Sequence, residues 1–237
     1  GMSQSAPASP SLGLGSAQFG SSYGLTSTGQ AVTPGEVAQI LAVAEAASLS
    51  MLDTAPAYGD SESVLGGTLA ACHNAGRNFR IVTKLPSLRA GRSREDKKAL
   101  AKQSFEHSLA RLRRRRIHGL ILHDAADLAG ADGVAIVDLL DEWRARGLVQ
   151  RIGVSVYDMH QIDQAMEMQA IDLLQMPVNV FDQRLLDGAR LADLQKRGVE
   201  LHARSAFLQG LLLMEEADIP AHLAHARSHV ARYRKAL

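Results

Sequence analysis

An acid and a phenol stand five residues apart in "LDTAPAYGDSES", as Asp53 and Tyr58, on either side of Pro56. A lysine follows in "VTKL" as Lys84, and a histidine in "LILHDA" as His123. Each lies at or just past the end of a short apolar run. Brought together, these four residue types make a proton-donating site. A lysine at the end of a buried strand needs a partner, and Asp53 can be that partner. The ammonium favours the phenolate form of a neighbouring tyrosine, drawing the Tyr58 hydroxyl from its ordinary pKa of about 10 towards neutral pH. A phenol tuned in this way acts as general acid towards an oxygen that is gaining negative charge. His123, kept neutral by the cation, donates a hydrogen bond to the same oxygen and orients it. No side chain supplies hydride, so reduction by this set requires a nicotinamide cofactor.

The elements that must position these residues alternate along the chain. Strands are predicted at 11–19, 49–55, 79–85, 117–125, 150–157, 173–181 and 199–207. A helix is predicted from "TPGE", with Thr33 as N-cap, Pro34 in the first turn and Glu36 completing a capping box. Further helices fall near 61–75, 94–115, 133–146, 158–169, 184–197 and 219–236. Strand, helix, strand, repeated every 30 residues or roughly so, means parallel strands joined by crossover helices.

Two α/β architectures satisfy that pattern, a closed eight-unit barrel and an open doubly wound sheet. The open sheet carries a phosphate-binding G-x-G-x-x-G turn after its first strand, and "GLGSAQFG" lacks that spacing. Polar residues at several strand ends favour the barrel, whose site is assembled from the carboxyl ends of many strands. The expected fold is therefore a (β/α)8 TIM barrel, one domain over residues 1–237, with 1–10 as a tail or expression remnant. The strand count stops one short of eight. Either "LLLMEEADIP" contributes to closure, or the last βα unit is missing or incomplete.

Composition narrows the class of function. The chain is 46% hydrophobic and 22% charged with a formal charge of +1, so neither nucleic acid nor an anionic membrane is an expected partner. The basic run "RLRRRR" (111–116) falls at a predicted helix end at the bottom of the barrel, where cations complement the helix dipole. Cys72 is the single cysteine, which excludes an internal disulfide and fits a reducing, cytoplasmic setting. No apolar run approaches the roughly 20 residues of a membrane span. His222, His225 and His229 share one face of the last predicted helix, but the face is Ala-rich and no carboxylate joins them, so no metal set is expected.

Taken in order, "LDTAPAYGDSESVLG", "VTKL", "LILHD", "GVSV" and "LLQMPVNVFDQR" resemble the aldo-keto reductase superfamily from about residue 12 to 215. The resemblance implies an eight-stranded α/β barrel and NADPH-dependent reduction of a small aldehyde or ketone, with NADH as the other candidate cofactor. It maps the family's catalytic tetrad onto Asp53, Tyr58, Lys84 and His123. By the same resemblance Ser155 and Gln175 hold the nicotinamide carboxamide, and Ser205 lies near the cofactor pyrophosphate. Ser16, Arg204 and Phe207 complete the implied cofactor-binding set.

Three departures qualify what the resemblance implies. Val156 stands where many members carry Asn, which removes one carboxamide contact. Arg204 stands where an aromatic ring often stacks on the nicotinamide; a guanidinium beside that cation is unfavourable and suits an anionic substrate group instead. The basic loop that holds the adenosine 2′-phosphate has no counterpart before "HVARYRKAL". Two other functions compete with reduction. One is a regulatory barrel that holds cofactor with little turnover; the other is a lyase in which Lys84 forms a Schiff base with a carbonyl substrate. The loops "SLRAGRS" and "DAADLAGADG" are short, which leaves an open site suited to small or varied carbonyls.

Overall fold

The computed structural model describes residues 13–15, 51–56, 61–71, 79–177 and 188–204. Within them seven parallel strands form one sheet in chain order: β1 (Gly13–Gly15), β2 (Met51–Asp53), β3 (Arg80–Leu85), β4 (Ile117–Leu122), β5 (Val149–Ser155), β6 (Leu173–Pro177) and β7 (Glu200–Arg204). The connections carry helices α1 (Ser61–Ala71), α2 (Arg94–Leu112), α3 (Gly130–Ala145), α4 (Met159–Met166) and α5 (Gly188–Lys196). The two edge strands, β1 and β7, approach each other, so the sheet curls into a partial (β/α) barrel. The helices predicted from 33 and over 219–236, Cys72 and the three C-terminal histidines lie outside the described residues.

Both faces of the strands are buried, as a parallel sheet covered by crossover helices requires. Successive residues point to opposite faces. Leu52, Ile81, Leu120, Ile152 and Leu174 pack outward with Phe105 and Trp143, whose rings stack 4.7 Å apart. Met51, Val82, Ile121 and Leu173 form a separate buried cluster on the other face, the inside of the curl. Two residues further along, on that same inner face, come Asp53 from Met51, Lys84 from Val82 and Gln175 from Leu173. The apolar plug thus sits beneath a polar layer at the carboxyl ends of the strands.

Local chemistry sets the element ends. Ser93 and Asp96 form a reciprocal capping box that starts α2. The helix stops at Leu112 rather than 115 because Arg113 turns left-handed (φ 53°) and its N–H bonds Ala110 O, while Arg114 N–H bonds Leu109 O. After β4 the chain is not the plain loop its composition suggests. Asp124 accepts from Ala126 N–H at 3.0 Å and starts a 3₁₀ turn, Ala125–Leu128, ahead of α3.

Helix α1 docks on the end of α2 through a glycine. A Cβ on Gly66 would lie 2.3 Å from Arg111 O and 2.7 Å from the Leu112 carbonyl carbon, whereas one on Gly67 meets nothing within 4 Å. Gly66→Ala is therefore expected to destabilise the fold by about 1–3 kcal/mol, because backbone must shift. Gly67→Ala is expected to stabilise it by about 0.5–1 kcal/mol through reduced unfolded-state entropy. Urea unfolding of the two neighbouring variants checks the opposite signs.

Candidate active site

Strand β2 ends in Asp53 and strand β3 delivers Lys84 one residue before its end. Lys84 is completely buried, and its Nζ donates to Asp53 Oδ1 at 2.8 Å, to Oδ2 at 3.0 Å and to Thr54 O at 3.3 Å. The Asp53 side chain retains 14% exposure, so the pair faces the mouth of the curl through its carboxylate. A lysine can be held this deep only because a bidentate anion and a carbonyl replace its hydration.

The next strands supply a second polar group. Ser155 ends β5 and Gln175 is its register partner on β6; both are buried. Gln175 Oε1 is buried with no hydrogen-bond partner among the described residues. An unsatisfied buried amide oxygen is costly, and an N–H donor placed against it recovers that cost. A nicotinamide carboxamide carries such N–H groups, so the pair fits that end of the cofactor. Val156 is buried in the outer core and offers no amide there.

His123 follows β4 directly, half-buried, with its backbone N–H bonded to Leu85 O at 3.0 Å. That bond extends the β3–β4 pairing and keeps His123 beside the carboxyl end of β3. The two short loops beyond are tied to each other. Ser87 Oγ donates to Asp124 at 3.0 Å, Arg89 pairs with Asp124 at 2.8 Å, and Leu88 N–H donates to Asp127 at 2.9 Å. Burial raises the Asp124 carboxyl, but the Ala126 N–H, the Ser87 hydroxyl and Arg89 outweigh it and hold the group below the ordinary carboxylate range. Arg204 closes β7, while Tyr58, Ser16, Ser205 and Phe207 lie outside the described residues.

Behind the ion pair runs a network that sequence reasoning did not find. Glu62, fully buried in the first turn of α1, accepts from Thr83 Oγ1 at 2.8 Å and from Arg111 at 2.9 Å. Ser61 Oγ and Thr54 Oγ1 share a 2.7 Å hydrogen bond. Thr83 adjoins Lys84 and Thr54 adjoins Asp53, so both members of the pair are braced from the outer face by one helix start. The sequence shows Arg111 only as part of a basic run at a helix end and gives no sign that it meets Glu62. Only the packing of α1 on α2 brings the two together.

The sequence profile of the Aldo/keto reductase family matches residues 11–235. The chain belongs to this family. Membership makes it an oxidoreductase of carbonyl compounds, a class in which reduced nicotinamides serve as hydride donors.

Among solved structures, the fold resembles that of a Pseudomonas aeruginosa protein assigned to the aldo-keto reductases. That match has 22% identity and a TM-score of 0.65 and covers 97% of this chain and 91% of that one. An aldo/keto reductase from Klebsiella pneumoniae, solved with NADP and acetate, aligns at 19% identity and a TM-score of 0.59 over 96% and 85% of the chains. A glycerol dehydrogenase from Gluconobacter oxydans aligns at 23% identity and 0.58 over 89% of this chain and 64% of its own. No curated protein sequence matches significantly. Among the described residues no helix is long and apolar enough to cross a membrane.

Proposed function

We propose that this family member reduces an aldehyde or ketone to the alcohol with NADPH or NADH, and that Tyr58 is the proton donor. The observation that carries the reading is the buried Lys84 ammonium clamped by Asp53 at the carboxyl ends of β2 and β3. Tyr58 lies five residues past Asp53 in the chain that joins β2 to α1. In this reading Tyr58 gives its proton to the carbonyl oxygen and becomes a phenolate, which the Lys84 charge stabilises. Asp53 fixes the ammonium in place, and His123 hydrogen-bonds the same oxygen and sets the face of the carbonyl. A bound nicotinamide supplies the hydride, and Ser155 with Gln175 would hold its carboxamide end. The NADP seen in the Klebsiella relative supports the choice of cofactor class.

Schiff-base chemistry is disfavoured by the same geometry. A lysine nucleophile must be neutral and free to reach a carbonyl carbon. Lys84 is fully buried and holds two carboxylate oxygens and a carbonyl oxygen.

The test is consumption of reduced nicotinamide in the presence of a panel of small aldehydes and ketones, together with a fluorescence titration of each cofactor. Tyr58→Phe is expected to lower kcat by about 10²–10⁴-fold while leaving cofactor affinity unchanged. Cofactor binding without any carbonyl-dependent oxidation in the unmodified protein would instead establish the regulatory barrel. Full turnover by Tyr58→Phe would remove Tyr58 from the proton-donor role.

A further inference from the structure

On β4 and β7, apart from the Lys84–Asp53 pair on β2 and β3, three side chains converge that the proposed reduction does not use. His118 is the second residue of β4, Glu200 opens β7, and His202 follows two positions later on the same face of that strand. His118 Nε2 lies 2.9 Å from Glu200 Oε2 and 3.1 Å from Oε1, and His202 Nε2 lies 2.9 Å from Oε1. The three donor atoms all fall within 4.8 Å of one another. Both histidine side chains are about 5% exposed (6% and 5%), whereas Glu200 keeps 16% and opens the cluster to solvent. We propose that His118, Glu200 and His202 form a binding site for one divalent transition-metal ion, zinc being the best-fitting candidate.

The donor set argues for the class of ion. Two imidazole nitrogens and one carboxylate suit zinc or cobalt, whereas magnesium and calcium demand oxygen ligands. A tetrahedral zinc with bonds of about 2.0–2.2 Å places its ligand atoms roughly 3.3 Å apart. The nitrogen–oxygen separations are already close to that, and the two nitrogens, within 4.8 Å of each other, must rotate to the same spacing. One position is left for water.

The surroundings match what ligating histidines require. Gln150 Oε1 lies 3.3 Å from His118 Nδ1; it would accept the Nδ1 proton in the tautomer whose Nε2 coordinates, the ion then replacing the proton that Nε2 shares with Glu200. Arg151 approaches Glu200 Oε2 at 3.4 Å, but its charge is shared: it also faces Asp172 at 3.4 Å and donates to Gly198 O at 2.8 Å. Asp172 in turn faces Arg144 at 3.1 Å. An ion here would pin β4 to β7 across the curl, with His202 in register beside Gln175.

The test uses the full chain, stripped with chelator and then freed of it, titrated with zinc chloride by calorimetry. The expected result is saturable binding of one ion per chain, weakened about 100-fold in His118→Ala and in His202→Ala. Cobalt chloride should give the intense visible bands of a four-coordinate ion. A triple variant, His222→Ala with His225→Ala and His229→Ala, should bind zinc as the unmodified chain does. The proposal is overturned by any of three results: no saturable heat, undiminished binding in His118→Ala, or loss of binding in the triple variant. Should the cluster variants fail to fold, the titrations of the unmodified chain and of the triple variant still decide it.

Discussion

Lys84→Met is expected to lower kcat for carbonyl reduction by about 10³-fold and to destabilise the fold by about 3 kcal/mol. The first effect follows from removing the charge that stabilises the Tyr58 phenolate as the proton leaves. The second follows from the pair itself. Methionine fills the space of the lysine stem, but Asp53, only 14% exposed, keeps its carboxylate and loses the ammonium at 2.8 and 3.0 Å. The two effects separate in a second variant. Lys84→Met combined with Asp53→Asn leaves no unpaired charge, and much of the lost stability should return while turnover stays low. Urea unfolding and steady-state kinetics on both variants check this. A double variant no more stable than the single one would mean that the pair contributes through packing rather than charge.

Glu62→Leu is expected to cost about 2–4 kcal/mol. In a chain of this size that corresponds to a fall in Tm of roughly 5–15 °C. Leucine fits the buried volume but accepts nothing from Thr83 Oγ1, which is itself fully buried, and nothing from Arg111. Arg111, 37% exposed, can turn to water; Thr83 cannot, so its hydroxyl carries most of the loss. Glu62→Gln keeps an acceptor for Thr83 and sets an amide against the guanidinium, so its cost should be intermediate. Because Thr83 adjoins Lys84 and the Ser61–Thr54 bond braces the residue after Asp53, kcat should fall in Glu62→Leu more than KM rises. Calorimetric Tm values and a kcat against KM comparison test both statements. Unchanged kinetics in a destabilised Glu62→Leu would make the network purely structural.

How the chain reads at the level of sequence depends on the range of the interactions. The seven strand segments are legible because a parallel strand is buried on both faces and shows as an unbroken apolar run, as in "IVTKL" and "IHGLIL". Their ends are less legible. α2 stops at a left-handed Arg113, and Asp124 starts a 3₁₀ turn from what composition alone reads as loop. Each depends on a few backbone hydrogen bonds that leave no periodic trace. The pairing of Asp53 with Lys84 follows from residue type and strand-end position, since a buried ammonium leaves few choices of partner.

The sequence by itself determined the fold class, the family and the four residue types offered for proton donation, because strand alternation and strand-end motifs are local patterns. Tertiary structure alone decided which buried groups meet. Glu62 reaches Arg111 across 49 positions, and His118 reaches Glu200 across 82. Such partners share no spacing along the chain. The curl of the sheet and the docking of α1 on α2 set their distances, and burial then makes each contact obligatory.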